Sequence, residues 1–345
     1  MPEMTGGQML DLIRQIAPAT VRVLLSSHVG HAERLGPAHL HLGKPCSLPA
    51  LETTVRHALA AQEALQNPEL ARLVASLRRF PVLPSACADV LRELDNDDST
   101  LDQTAEPSGR DGGGFTGIVQ GGDSALFGGV GGANVPRTAL VELGTRNAKA
   151  LAVATCVFKA CRGPHVPEMP VDLLWRHSCS AAKLARELCR KSLGEGPAGD
   201  AFFAGLIHEL GCLVLMKNDA EAFRALCQEA QREGKSLRQA ERERFHAAHE
   251  ELSVFILRLW GIPEPVVEAV AWHNIPWEGP HPERFSPTVA LYMANIITRQ
   301  WRPPDKLLTP PLDREYLESV GAPTPCPSTR YGDGAGFAGT ASDGL

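Results

Sequence analysis

Phe203-Ala204-Gly205-Leu206-Ile207-His208-Glu209-Leu210-Gly211-Cys212-Leu213-Val214-Leu215 is the stretch around which the chain is organised. It is an apolar run with two ionisable side chains, His208 and Glu209, at its middle. Apolar neighbours on both sides predict burial. A buried ionisable pair is costly unless it is hydrogen-bonded, neutralised or bound to a metal. Adjacent residues of a helix project about 100° apart, so both side chains can converge at the helix edge. Neutral imidazole with carboxylate suits borderline-to-hard divalent metals. Alone, the pair is weak evidence, because a lone buried histidine is more often a satisfied core residue than a ligand.

Polar residues in similar settings lie upstream and downstream. Trp175-Arg176-His177-Ser178 falls early in an amphipathic helix expected over Val171–Leu193, and a glycine-rich loop, Leu193–Gly199, should separate it from the central helix. His249-Glu250 opens a later helix ending Leu259-Trp260-Gly261-Ile262-Pro263. His273-Asn274 precedes Ile275-Pro276, and Ser286–Trp301 is an apolar helix with Asn295 inside it. Each has a plain reading: His177 as a cap, His249 as a surface residue beside Glu250, His273 as a turn residue. Trp260 and Trp272 read as core, and Arg176 as an exposed charge. The charges of Ser236–Arg244 read as a solvated helix face.

This order resembles the HD superfamily of metal-dependent phosphohydrolases, and most closely its HDOD branch. The likeness rests on Trp-Arg-His-Ser at 175–178, His-Glu-Leu-Gly at 208–211, the His249 helix with its Trp-Gly-Ile-Pro end, and His273 before Pro276. It runs over about residues 76–300. The resemblance implies a ligand set of His177, His208, Glu209, His249, His273 and Asn295. Two positions depart from the pattern. Glu209 stands for Asp, its extra methylene moving the carboxylate by about 1.5 Å. Asn295 stands for the closing Asp, and an amide is a poor ligand for a hard cation. Asn274 replaces the second His of a His-His-x-Pro pattern, and nothing resembles the Gly-Tyr-Pro element of the HD-GYP branch. HDOD domains are regarded as signalling or scaffold modules, so no catalytic residue and no cofactor are expected. A divalent metal (Fe, Mn or Mg) enters only under the alternative, a phosphohydrolase acting on a nucleotide or cyclic dinucleotide.

The 345 residues are 43% apolar and 21% charged, an ordinary globular composition, enough for more than one domain. A net charge of −6 gives no case for nucleic acid or an anionic membrane as partner. No apolar run approaches the roughly 18 residues that span a bilayer. The start, Met1-Pro2-Glu3-Met4, has no signal-peptide pattern, so the protein is expected in the cytoplasm. Nine scattered cysteines without Cys-x-x-Cys read as unpaired thiols.

Residues 1–66 read as helix (Gly7–Ile16), strand (Val21–Ser27), a turn of helix (Ala32–Leu35), strand (His39–Gly43) and helix (Ser47–Gln66, Ser47 as N-cap). That order resembles the C-terminal half of a response-regulator receiver domain. Met-Pro-Glu-Met-x-Gly is similar to the loop after the phospho-acceptor Asp, Ser26 to the phosphate-sensing hydroxyl residue, and Lys44, before Pro45, to the lysine that pairs with the phosphoryl group. The acceptor itself would precede Met1, so no phospho-acceptor is expected, and Lys44 reads here as a solvated lysine. Apolar faces of these two strands are expected to lack their cover.

A helical linker follows over 67–80, with Leu70, Leu73, Val74 and Leu77 on a stripe that is a core face or, with 47–66, a homodimer seam. Arg79–Ser85 is similar to the Leu-Pro start of HDOD domains, and Cys87–Leu94 to their first helix. Between Gly109 and Gly132, 11 of 24 residues are glycine, which resists a helix. No Gly-Lys-Ser/Thr follows, so this irregular stretch (107–134) is no phosphate loop. Helix resumes over Val135–Ala160, and 303–345 reads as mostly disordered, with one helical turn at Asp313–Val320. The expected architecture is mainly α: a helical HD-superfamily-like (HDOD) bundle over 81–302, preceded by an incomplete α/β receiver-like segment. The expected function is a phosphorelay-related signalling component that acts by protein contact.

Overall fold

The computed structural model describes residues 4–27, 37–78, 80–81, 83, 85–92, 144–160, 166–300 and 311–323. The glycine-rich stretch, the helical turn at 32–35 and most of the C-terminal tail lie outside the described residues.

The N-terminal part alternates helix and strand as the sequence leads one to expect. Helix α1 (Gly6–Ile16) begins with a capping box, in which the Thr5 hydroxyl accepts the Gln8 N–H and the Gln8 side chain accepts the Thr5 N–H. Strands β1 (Val23–Ser26) and β2 (Leu40–Gly43) pair in parallel, with Val23 opposite Leu40 and Ser26 opposite Gly43. Ser47 caps α2 (Leu48–Ala64) and Asn67 caps α3 (Pro68–Ser76). The Leu70, Leu73, Val74 and Leu77 stripe is buried inside the chain.

The rest is a helical bundle: α4 (Ser85–Arg92), α5 (Thr145–Ala160), α6 (Val171–Leu193), α7 (Glu195–Ile207), α8 (Leu210–Asn218), α9 (Ala220–Glu233), α10 (Leu237–Phe245), α11 (His249–Trp260), α12 (Glu264–Trp272), α13 (Pro287–Gln300) and α14 (Arg314–Ser319). Polar caps punctuate it. Asp219 caps α9, Ser236 caps α10, and Gly234 and Gly261 end their helices in the left-handed conformation at φ 63° and 73°. Helix α7 runs through the middle and packs on α5, α6, α12 and α13. Every residue from 201 to 216 is buried, as expected of a helix that is apolar on all sides.

The structure departs from the sequence reading in several places. His208 and Glu209 lie in a break between α7 and α8, not inside one helix. The break has tertiary causes. The Gly211 N–H donates to the Ser253 hydroxyl at 2.8 Å instead of to a helical carbonyl. Gly211 also presses on α11 so closely that a Cβ there would collide with the His249 carbonyl. The loop expected over Leu193–Gly199 shrinks to Gly194 (φ 89°), because Arg146 bonds the Gly196 carbonyl at 3.2 Å and Asp200 at 2.8 Å and holds that segment helical. Glu195–Asn218 is, by length and composition, apolar enough to cross a membrane, contrary to the sequence reading, yet nearly all of it is buried in the bundle. Finally, Cys87 and Cys156 form a disulfide joining α4 and α5, so not all cysteines are thiols; Cys46, Cys179, Cys189, Cys212 and Cys227 are free.

Candidate functional site

Four elements deliver four imidazoles to one place. His177 comes from the second turn of α6, His208 from the α7–α8 break, His249 from the first residue of α11 and His273 from the end of α12. Successive ring centroids are 5.2, 5.0 and 5.7 Å apart in the order His177, His208, His273, His249. All four rings are buried.

Their orientation follows from helix ends, where carbonyls need donors. His208 and His273 each stand one residue past a helix, and each donates Nδ1–H to a carbonyl three residues back, Gly205 and Val270, at 2.8 Å. His249 Nδ1 is held at 2.6 Å by Glu241, whose carboxylate also accepts the His249 backbone N–H at 2.9 Å. These three rings therefore turn Nε2 toward the interior. His177 differs, with Nε2 3.0 Å from Asn295 Oδ1 and 3.3 Å from His208 Nε2. An amide oxygen only accepts, so the His177 proton sits on Nε2.

Two acids flank the row. One oxygen of Glu209 receives the Arg299 guanidinium and lies 3.5 Å from His208 Nε2. Arg299 Nε also donates to Asn295 Oδ1 at 2.9 Å. At the other end, Glu250 accepts from Asn274 at 2.7 Å and pairs with Arg238 at 3.1 Å. Asn274 also lies 3.0 Å from His273 Nε2 and accepts from Asn295 Nδ2 at 3.3 Å, linking the two ends. The second oxygens of Glu209 and Glu250 and Nε2 of His249 have no hydrogen-bond partner. Among the described residues, three triads have donor atoms within 4.8 Å of one another: His177, His208 and Glu209; Glu209, Cys212 and His249; and His249, Glu250 and His273.

The electrostatics divide the row. Burial, reinforced by Arg299, pushes His208 down to about 3, and burial with the neighbouring His208 ring does the same to His273. Burial and Arg299 also hold His177 well below the ordinary histidine range. His249 is the opposite case: burial would depress it, but Glu241 and Glu250 outweigh that and raise it to about 9. Burial would raise Glu250, yet His249, His273 and Arg238 bring it down to about 2.

The structure brings together all six residues implied by the resemblance. Arg299, Glu241 and Glu250 join them, as do Arg238 and Cys212, and the sequence reading singles out none of these as site residues. Arg299 lies one helical turn past Asn295, a spacing that puts both on one face. Glu241 sits in the run 236–244, read as solvated, but is fully buried because α10 turns Leu237, Ala240 and Glu241 inward. Glu250, with His249, is interior rather than surface. At the N-terminus, Ser26 and Lys44 are neighbours across the strand pair, the Lys44 N–H donating to the Ser26 carbonyl at 2.8 Å, and Lys44 is exposed.

A helical bundle closed around buried histidines and carboxylates is the class of protein described here. Within that class, the chain belongs to the HDOD domain family, whose match covers residues 80–276, more than half of its length. No curated protein sequence matches it. Among solved structures it is similar to an HDOD domain protein of unknown function from Geobacter sulfurreducens (TM-score 0.53, 18% identity, 75% of this chain and 82% of that one). It is also similar to a candidate phosphohydrolase from Shewanella amazonensis (TM-score 0.52, 24% identity, 70% and 86%). A third is a candidate signal transduction protein from Marinobacter aquaeolei (TM-score 0.54, 17% identity, 78% and 61%). At these identities the likeness establishes the fold.

Proposed function

We propose that this chain is a cytoplasmic signal-transduction component, related to response regulators and their phosphorelays, whose HDOD domain works by protein contact and not by chemistry. One observation carries the reading: the Arg299 guanidinium bonds Glu209 Oε1 and Asn295 Oδ1, so a fixed cation already occupies the two positions where the resemblance implies acids, and Glu209 Oε2 is the one oxygen left open between them. A two-metal centre does not fit this donor set, since one carboxylate is already paired and the closing side chain is a neutral amide. The partners are other signalling proteins. A homodimer through 47–79 draws support from Leu48, Leu51, Val55 and Leu59, which expose one apolar stripe along α2. The receiver-like reading of residues 1–66 is supported by the parallel pair that sets Ser26 beside Lys44.

The second reading, a metal-dependent phosphohydrolase, has its own observation. Three rings are anchored through Nδ1 with Nε2 turned inward, the arrangement metal-ligating histidines use. The two readings separate in one experiment on the purified full chain. Metal content is measured, and turnover of a generic phosphodiester is assayed with Mn²⁺, Mg²⁺ or Fe²⁺. The expected result is substoichiometric metal and no turnover above the His208→Ala variant. Turnover that His208→Ala abolishes would establish the second reading instead.

A further inference from the structure

We infer that Arg299 is the resident cation of the buried histidine–carboxylate centre, its guanidinium holding Glu209 and Asn295 together where a divalent ion would otherwise be needed. The inference rests on the non-catalytic reading and adds to it what replaces the metal. Glu209 is completely buried, and a carboxylate there requires a countercharge. His208 is adjacent but donates its Nδ1 proton to Gly205, leaving an acceptor nitrogen on the Glu209 side. Arg299 supplies the charge from one turn past Asn295, and its side chain is largely shielded, with 15% exposure.

The neutral side chain at 295 fits this role. Its Oδ1 accepts from the Arg299 Nε and from His177, and its Nδ2 donates to Asn274, so every polar atom of the amide is used. The guanidinium is planar and forked, so Nε and Nη2 can serve two acceptors at once, which a spherical lysine ammonium does less well. At this end of the row the Glu209 carboxylate thus has a guanidinium as its countercharge. At the far end the contacts are separate: Glu241 holds His249 Nδ1, and Glu250 pairs with Arg238. A divalent ion placed between Glu209 and Asn295 would sit against a fixed positive charge in a low-dielectric interior.

The test compares thermal melting of the full-length wild type and Arg299→Ala, with chelator, with Mn²⁺, and with guanidinium chloride at a non-denaturing concentration. Wild type should melt at the same temperature in chelator and in Mn²⁺. Arg299→Ala should melt about 10 °C lower, and added guanidinium should restore at least half of that loss. Should Arg299→Ala fail to fold, the pair Glu209→Gln with Arg299→Met, which removes both charges, should fold and melt above Glu209→Gln alone. The inference is overturned if Arg299→Ala melts like wild type, or if guanidinium restores nothing, or if the double variant is no better than the single one. Those failures leave an inactive wild type inactive, whereas wild-type turnover of a phosphodiester strikes at the non-catalytic reading itself.

Discussion

The bundle and the N-terminal α/β part handle apolar surface in opposite ways. In the bundle, α7 and α8 are buried along nearly their whole length. In the N-terminal part α1 buries no residue fully and α2 only Ala61, while Met9, Leu12, Ile16, Val23 and Leu25 stay exposed. The bundle closes on itself, so its fold is fixed by mutual packing. The N-terminal part leans on the bundle mainly along the seam of α2 against α11, where α3 also touches α10 and α11. There Gly261 leaves room for the His57 ring, and His39 packs between Phe80 and Phe255 with centroids 4.9 and 5.2 Å away. The Gln62 side chain accepts from Val21 N–H at 2.9 Å, and Asn67 donates to Glu251 at 3.0 Å. Most of the folding energy should therefore belong to the bundle, and perturbations should weaken in effect from its centre to the seam and then to the free faces.

The largest effect is expected at Glu241→Ala. It strips His249 of its countercharge and leaves a buried backbone N–H without its acceptor. A loss of about 4 kcal/mol in urea unfolding is expected. A loss below about 1 kcal/mol would mean that water reaches His249 and its backbone N–H, and that the bundle centre is not closed. Next comes Gly211→Ala, whose Cβ would strike the His249 carbonyl and force α8 from α11. Over-packing of that kind costs about 3 kcal/mol, measured the same way.

Much of this contrast is legible in the sequence. Ser47, Asn67, Asp219 and Ser236 mark helix starts and Gly234 a helix end, because caps are local chemistry. His177, His208, His249 and His273 stand out because a polar residue in an apolar run demands an explanation. What the sequence does not disclose is tertiary. The break at His208-Glu209 depends on Ser253 from another helix, and the helical start of α7 depends on Arg146. Glu241 looks solvated in a run of charges because its partner, His249, is brought to it only by the turn after α10. Arg299 resembles an ordinary last-turn arginine until Glu209, 90 positions away, is placed beside it.

The seam comes third, and acid should loosen it. Burial and the adjacent Arg22 guanidinium, 2.6 Å from Nε2, hold His39 down at about 3 against an ordinary 6.5. A histidine depressed on folding favours the native state above its unfolded pKa, and that share is lost as pH falls from about 6.5 toward 3. At about pH 5 the loss attributable to His39 should be about 2 kcal/mol. It is read as the acid-dependent difference in unfolding free energy between wild type and His39→Gln. Equal acid sensitivity in the two proteins would show that the seam does not depend on a neutral imidazole.

The smallest effect on stability is expected at the free face. Leu48 and Leu59 are 67% and 63% exposed, so Leu48→Lys with Leu59→Lys removes almost no buried area from the monomer. The pair should change unfolding free energy by less than about 0.5 kcal/mol. That near-silence makes the variant informative, because an apolar stripe that contributes nothing to its own fold has exposure as its main cost. If two copies meet through α2, placing lysines on both sides of the seam opposes like charges, and light scattering should record a fall from dimer to monomer with an unchanged melting profile. An unchanged mass would remove the dimer seam but not the contrast, since the stripe would remain uncovered. A large loss of stability at these two positions would instead make α2 part of a core, and the division between a self-closed bundle and a leaning N-terminal part would fail.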